Sequence, residues 1–165
     1  AERARDLRKT PVSILGSSEA VQHQGTGYND LLTIAAKQSG EVAFGQAGVS
    51  REDIDLAMIY DSFTITVLAT LENLGFCEPG EGGDFVSNAG IALGSKLPVN
   101  PDGGGMSSNH PGMRGIFLVI EAVKQLRNEC EARQVSGAEI ALAHGTGGTI
   151  GDKHSGATLI LGIDR

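Results

Sequence analysis

The sequence predicts a three-layer α/β domain built on a mixed sheet, and three observations lead there. Short apolar runs alternate with segments of helical spacing from Pro11 onward. One of those runs, Ile54 to Tyr60, is apolar almost without a break, as a strand covered on both faces requires. The last two runs flank a glycine-rich stretch, which suits a hairpin and adds antiparallel pairing to a sheet with helical crossovers.

Taken in order, Pro11 to Leu15 reads as a short strand closed by Gly16, and the polar stretch Ser17 to Tyr28 as loop. Leu31 to Ala47 carries Leu31, Leu32, Ile34, Ala35, Val42 and Ala43 at helical spacing, with Asn29 or Asp30 as its N-cap and Gly48 past its end. After the strand at Ile54 to Tyr60, Ser62 can cap a helix from Phe63 to Leu74 that Gly75 stops. Phe76 to Pro111 is irregular apart from a strand at Leu97 to Asn100, and connections this long are usually functional. Gly112 to Cys130 is the strongest helix signal, apolar nearly all round in its first turns, so that half should be buried. Glu139 to Ala143 and Ala157 to Ile163 are the closing strands, joined by the loop His144 to Gly156.

A chain of 165 residues suits one domain with a real core. Its 24 glycines are about twice the usual share of ~7%, and they cluster between periodic segments, which marks tight functional loops. The formal charge of −7 is spread without blocks or a basic patch, which speaks against nucleic acid as a partner. The longest apolar run, Ile116 to Ile120, is far too short for membrane insertion. Cys77 and Cys130 stand far apart with no CxxC, which argues against a disulfide scaffold or zinc site and fits a reducing cytoplasm.

Three segments can carry chemistry. Asp102-Gly-Gly-Gly-Met-Ser-Ser-Asn-His-Pro-Gly-Met-Arg-Gly115 sets His110 at the mouth of the most buried helix, with Pro111 suited to its first position. The positive end of the helix dipole disfavours imidazolium there, leaving a neutral N–H able to polarise a carbonyl. The local chemistry serves equally for a histidine that merely starts a helix. Tyr60-Asp-Ser-Phe63 lies where a buried strand meets a helix, the place where α/β proteins put their sites. Tyr60 there can bond substrate, hold a water or move a proton; it can also simply close the sheet while Asp61 or Ser62 caps the helix. Ala143-His-Gly-Thr-Gly-Gly148 follows a strand, and its successive N–H groups can form an anion nest, or the segment can be a plain hairpin tip. It matches neither GxxxxGK[ST] nor GxGxxG, and no metal site is visible. Neither cysteine has a neighbour that would activate it.

In order along the chain, these segments resemble the C-terminal half of thiolases. The likeness is strongest to sterol-carrier-protein thiolases and bacterial thiolase-like lipid-transfer proteins. In that family a Gly-His-Pro loop supplies an oxyanion-hole histidine, and Ser-Asn109-His110-Pro111-Gly112 stands in its place. An Asn-Glu-Ala-Phe or His-Asp-x-Phe motif corresponds to Tyr60-Asp61-Ser62-Phe63, and a late Cys-x-Gly motif corresponds to His144-Gly145-Thr146-Gly147-Gly148. Ser50-Arg-Glu-Asp-Ile-Asp-Leu56, Gly75-Phe-Cys-Glu-Pro-Gly-Glu81 and Glu121-Ala-Val-Lys-Gln-Leu-Arg127 are similar to that branch as well.

The resemblance implies a half-domain over residues 11–165, with a mixed five-stranded sheet covered by helices, preceded by a leading segment (1–10) from the earlier part of a longer parent. It implies an acetyl-CoA acetyltransferase type of carbon–carbon bond formation or cleavage in lipid metabolism, with a coenzyme A thioester as substrate and no covalently bound cofactor. His110, Tyr60 and His144 would be catalytic; Asp61, Asn109, Gly145, Thr146, Gly147 and Gly148 would contact substrate. The partners implied are the N-terminal thiolase half, which would carry the nucleophilic cysteine and cover the Gly112–Cys130 helix, and a second copy of the parent. Two departures point elsewhere: His144 replaces the acid/base cysteine, and Tyr60 replaces Asn or His. Thiolase-like aldolases that act on steroid side-chain CoA thioesters carry Tyr at this position and work with a partner that has an OB-fold and a zinc-binding segment. A non-catalytic lipid-binding module is the remaining alternative.

Overall fold

A computed structural model describes residues 2–22, 32–108, 114–147 and 155–163. Its elements are α1 (Glu2–Arg5), β1 (Ser13–Val21), α2 (Ala36–Ala47), β2 (Leu56–Ile59), α3 (Thr64–Leu74), α4 (Gly82–Asp84, running into a π turn, Phe85–Ala89), α5 (Gly115–Leu126), β3 (Ile140–Gly147) and β4 (Ser155–Gly162). The sheet is four-stranded and mixed, in the order β1-β4-β3-β2. β2 and β3 run parallel, with Ile59 opposite His144; β4 is antiparallel to both β1 and β3.

Side-chain alternation sorts two cores onto the two faces. Ala57, Ile59, Leu142 and Ile160 meet Ala43 and Phe44 of α2 and Val67, Leu71 and Leu74 of α3. Leu56, Met58, Ala141, Ala143 and Leu161 meet Leu118, Ala122 and Leu126 of α5. The layers expected from the sequence are present: two helices, a sheet, and a third helix behind it. Gly48 and Gly75 end α2 and α3 at φ 65° and 81°, a left-handed conformation that costs glycine little.

Several boundaries differ from the sequence reading. Gly16 does not close the first strand; β1 runs to Val21, taking in the polar residues from Ser17. Polar side chains are tolerated because β1 is an edge strand with its outer side unpaired. Gly16 sits at an irregularity in the β1–β4 register, where a Cβ would collide with the Ala43 carbonyl of α2.

α2 begins at Ala36, and the proposed caps Asn29 and Asp30 lie outside the described residues. The turn ahead of it is held instead by Asn73 of α3, whose side chain accepts the Ile34 N–H at 3.0 Å and donates to the Leu32 carbonyl at 2.7 Å. α3 starts one residue later than expected, with Phe63 rather than Ser62 at its N-cap. α5 stops at Leu126, and Asn128 (φ 57°) turns the chain away, so Cys130 follows the helix. The early turns of α5 are not covered in this chain: Ile116 and Ile120 are 55% and 47% exposed.

The fifth strand is reduced to one parallel bridge, Ala57 with Val99. Pro98 has no N–H to give the ladder and Asn100 turns out of line at φ 49°, so pairing cannot propagate. Beyond the bridge a side chain imitates the strand. The Asn100 amide accepts the Ile59 N–H at 2.8 Å and donates to the Ile59 carbonyl at 2.8 Å.

Candidate functional site

The carboxyl ends of β2 and β3 lie side by side, and Tyr60 extends β2 by donating its N–H to the His144 carbonyl at 2.9 Å. Sheet alternation then sends the two side chains to opposite faces. Tyr60 packs with the α5-side cluster, while the His144 ring bonds toward α2. The structure therefore brings these residues together through the backbone and separates their functional groups.

Asp61, read from the sequence as a substrate contact, has another task. It is 3% exposed, and its carboxylate accepts the backbone N–H of Gly105 at 2.7 Å and of Met106 at 3.0 Å. A Cβ on Gly104 would run into the same carboxylate, and Gly104 sits at φ 69°. The glycine triplet is thus needed to wrap the loop tightly around Asp61. A second carboxylate works within that loop: Asp102 accepts the Gly104 N–H at 2.9 Å and pairs with Arg114 at 2.9 Å. Arg114 is 7% exposed and also donates to Ser108 at 3.3 Å. Two of the sequence motifs are therefore physically one unit: the residue after Tyr60 holds the loop that leads toward His110. His110, Asn109 and Gly148 themselves lie outside the described residues.

His144 is fully buried, and desolvation pushes its pKa down to about 4. Its Nδ1 lies 2.8 Å from Thr158 Oγ1, which lies 2.9 Å from Ser39 Oγ on α2. Gly145, Thr146 and Gly147 do not form a loop nest. They continue β3 and pair with Ala157, Gly156 and Ser155, so their backbones are committed to the ladder. A Cβ placed on Gly145, the neighbour of Tyr60 in the continued register, would meet nothing within 4 Å.

The surroundings of both thiols disfavour a thiolate. Cys77 is raised to about 11 by desolvation and then by Glu72, Glu81 and Glu78; Cys130 is raised to about 11 by desolvation and then by Glu121. Among the described residues no cluster of His, Cys, Asp and Glu could hold a metal, and no helix is long and apolar enough to cross a membrane. A cleft of about 400 Å³ lies between the ends of α2 and α3, lined by Lys37, Arg51, Glu72 and Cys77, and includes no group of this site. Sequence reasoning missed Asp102, Arg114, Thr158 and Ser39. Only the flanking of the glycine loop by an opposite-charge pair, twelve residues apart, hinted at the first two.

The site thus rests on a three-layer α/β half, with a carboxylate-clamped glycine loop and a strand-end tyrosine on neighbouring segments. Residues 18–163 match the thiolase C-terminal domain-like family, and the chain belongs to it. Its relatives include an acetyl-CoA acetyltransferase of Methanothermobacter thermautotrophicus, 39% identical over 92% of this chain and 40% of that protein. Another is a steroid side-chain-cleaving aldolase of Thermomonospora curvata, 35% identical over 99% of this chain and 41% of that one. A solved Ltp2-ChsH2(DUF35) aldolase superposes with a TM-score of 0.84 at 34% identity, covering 100% of this chain and 43% of its own. The chain spans about two-fifths of the length of these relatives.

Proposed function

We propose that the parent of this chain cleaves or forms a carbon–carbon bond in an acyl-CoA thioester, and that it does so by retro-aldol chemistry. The observation that carries this reading is the place of Tyr60 at the end of β2, where its N–H bonds the His144 carbonyl and Gly145 is its neighbour in the continued register. His144, which stands where the family's thiolases carry a late acid/base cysteine, turns its ring to the α2 side of the sheet. Tyr60 packs on the other side at the end of β2, beside a Gly145 whose added Cβ would meet nothing within 4 Å.

In such a cleavage the β-hydroxyl of the substrate loses its proton, a carbonyl forms as the carbon–carbon bond breaks, and the released thioester enolate takes up a proton. Tyr60 would move one of these protons. His110, as a neutral donor, would stabilise the charge developing on the thioester oxygen. Asp61 and the Asp102–Arg114 pair would hold the glycine loop in register with Tyr60. His144 would lie behind the sheet and take part through the acceptor nitrogen it presents. The parent would carry the family's N-terminal half and, by likeness to the Ltp2-ChsH2(DUF35) aldolase, a DUF35-type partner. A dimeric parent at work in the cytoplasm belongs to the same proposal.

Acyl transfer is the second reading, favoured by the His110-Pro111 pair and by the acetyltransferase relative. Tyr60→Phe in the full-length protein separates the two. Retro-aldol release from a β-hydroxyacyl-CoA should fall by about 10²-fold or more, the usual worth of a proton-transfer group. A parent that instead thiolyses acetoacetyl-CoA, with Tyr60→Phe leaving that rate intact, would sink the aldolase reading.

A further inference from the structure

We propose that Ser39 and Thr158 are positioning residues that lock His144 in its Nδ1–H tautomer, so that Nε2 is held as a hydrogen-bond acceptor. This deepens the reading of His144 as part of the site and rests on it.

The direction of each hydrogen bond in the chain from α2 to the ring sets the tautomer. Ser39 lies on α2, and its hydroxyl can donate to the Ala36 carbonyl one turn back, at 3.4 Å. Having spent its proton there, Ser39 Oγ accepts from Thr158 Oγ1 at 2.9 Å. Thr158 Oγ1 then has only lone pairs to offer Nδ1 at 2.8 Å, so Nδ1 carries the hydrogen. Nε2 is left with a lone pair.

A second, independent observation agrees. Nε2 is buried and has no partner among the described residues. In the other tautomer this would be a buried N–H with no acceptor, the rarer and costlier of the two deficits. A Cβ at Gly156 would sit 3.3 Å from Nε2 and 3.0 Å from Cε1, so this face of the ring has room only because residue 156 is glycine. Burial also disfavours a second proton, holding the ring neutral to about pH 4. In the resting protein His144 can therefore receive a proton or a hydrogen bond at Nε2 and has none to give from it. An acid role there is excluded, and an acceptor role is built in.

The test is a long-range proton–nitrogen correlation spectrum of the full-length protein at neutral pH, which distinguishes a pyrrole-type from a pyridine-type ring nitrogen. The expected result for His144 is a pyrrole-type Nδ1 and a pyridine-type Nε2. Thr158→Val removes the acceptor at nearly constant volume and should shift the ring to the Nε2–H form, while Thr158→Ser should restore the wild-type pattern. Ser39→Ala frees the Thr158 hydroxyl to donate and should give a mixture of tautomers. A wild-type ring with Nε2–H, or Thr158→Val with the pattern unchanged, would overturn the proposal.

Activity reports separately on the reading beneath it. In catalytic triads a histidine held in the wrong tautomer costs up to about 10⁴ in kcat, so Thr158→Val should lower kcat at least about tenfold with little change in KM. A tautomer shift with kcat untouched would leave the relay standing and remove His144 from the site.

Discussion

Replacing Asp61 by Asn changes one oxygen for an NH₂ and leaves shape almost unaltered, so it isolates the charge that holds the glycine loop. In the wild type both carboxylate oxygens accept backbone N–H groups, at 2.7 and 3.0 Å, in a setting nearly closed to water. Asn can satisfy only one of them. The other N–H then faces a donor, which costs about 1–3 kcal/mol for the orphaned group, and the surviving bond loses its charge assistance. About 3 kcal/mol in all is the expected loss, which for a domain of this size lowers Tm by about 6–12 °C.

The loss should also be local: amide exchange at Gly105 and Met106 should accelerate about 10²-fold, since about 1.4 kcal/mol corresponds to each factor of ten. Thermal unfolding followed by circular dichroism and residue-resolved hydrogen exchange measure the two effects. An Asn variant that melts within about 2 °C of wild type, with both amides exchanging as before, would refute the clamp and return Asp61 to the surface of a binding site.

Burial sets two further outcomes. Because the folded His144 is pushed down to about 4 from its ordinary 6.5, the unfolded chain binds the extra proton first as pH falls. Stability should therefore decline from about pH 6.5 to about pH 4, by about 3 kcal/mol in all, and His144→Asn should flatten the upper part of that slope in urea titrations; an unchanged slope would put the charge elsewhere. The uncovered turns of α5, with Ile116, Phe117 and Ile120 all exposed, should make the isolated chain self-associate in sedimentation runs. Ile116→Glu with Ile120→Lys should yield monomer, and a wild-type chain already monomeric at high concentration would contradict this.

The architecture was legible wherever local pattern and tertiary environment ask for the same thing. The apolar run at Ile54 to Tyr60 announced a strand covered on both sides, and Gly48 and Gly75 announced helix ends. Legibility failed where the partner is distant. Nothing local distinguishes a substrate-binding Asp61 from one that bonds a loop more than forty residues away. Nothing near Ser17 says that it will pair with Leu159. His144 stood out beside a strand, but its facing depended on the length of β3, and the sequence reading ended that strand at Ala143, four residues too soon. Ser39 and Thr158 come together only because α2 lies across β4.

The side-chain amide of Asn100 has a consequence for what this sheet can join. Ala57 gives its N–H to the Pro98 carbonyl and its carbonyl to the Asn100 N–H, while Ile59 is occupied on both counts by the Asn100 amide. The outer side of β2 thus has no free pair at either position to offer a foreign strand, although only one true bridge covers it. Recruitment of an extended segment from another molecule, or fibril-like growth from a damaged copy, is blocked at that end of the sheet. It is left to β1, whose outer side no described strand pairs.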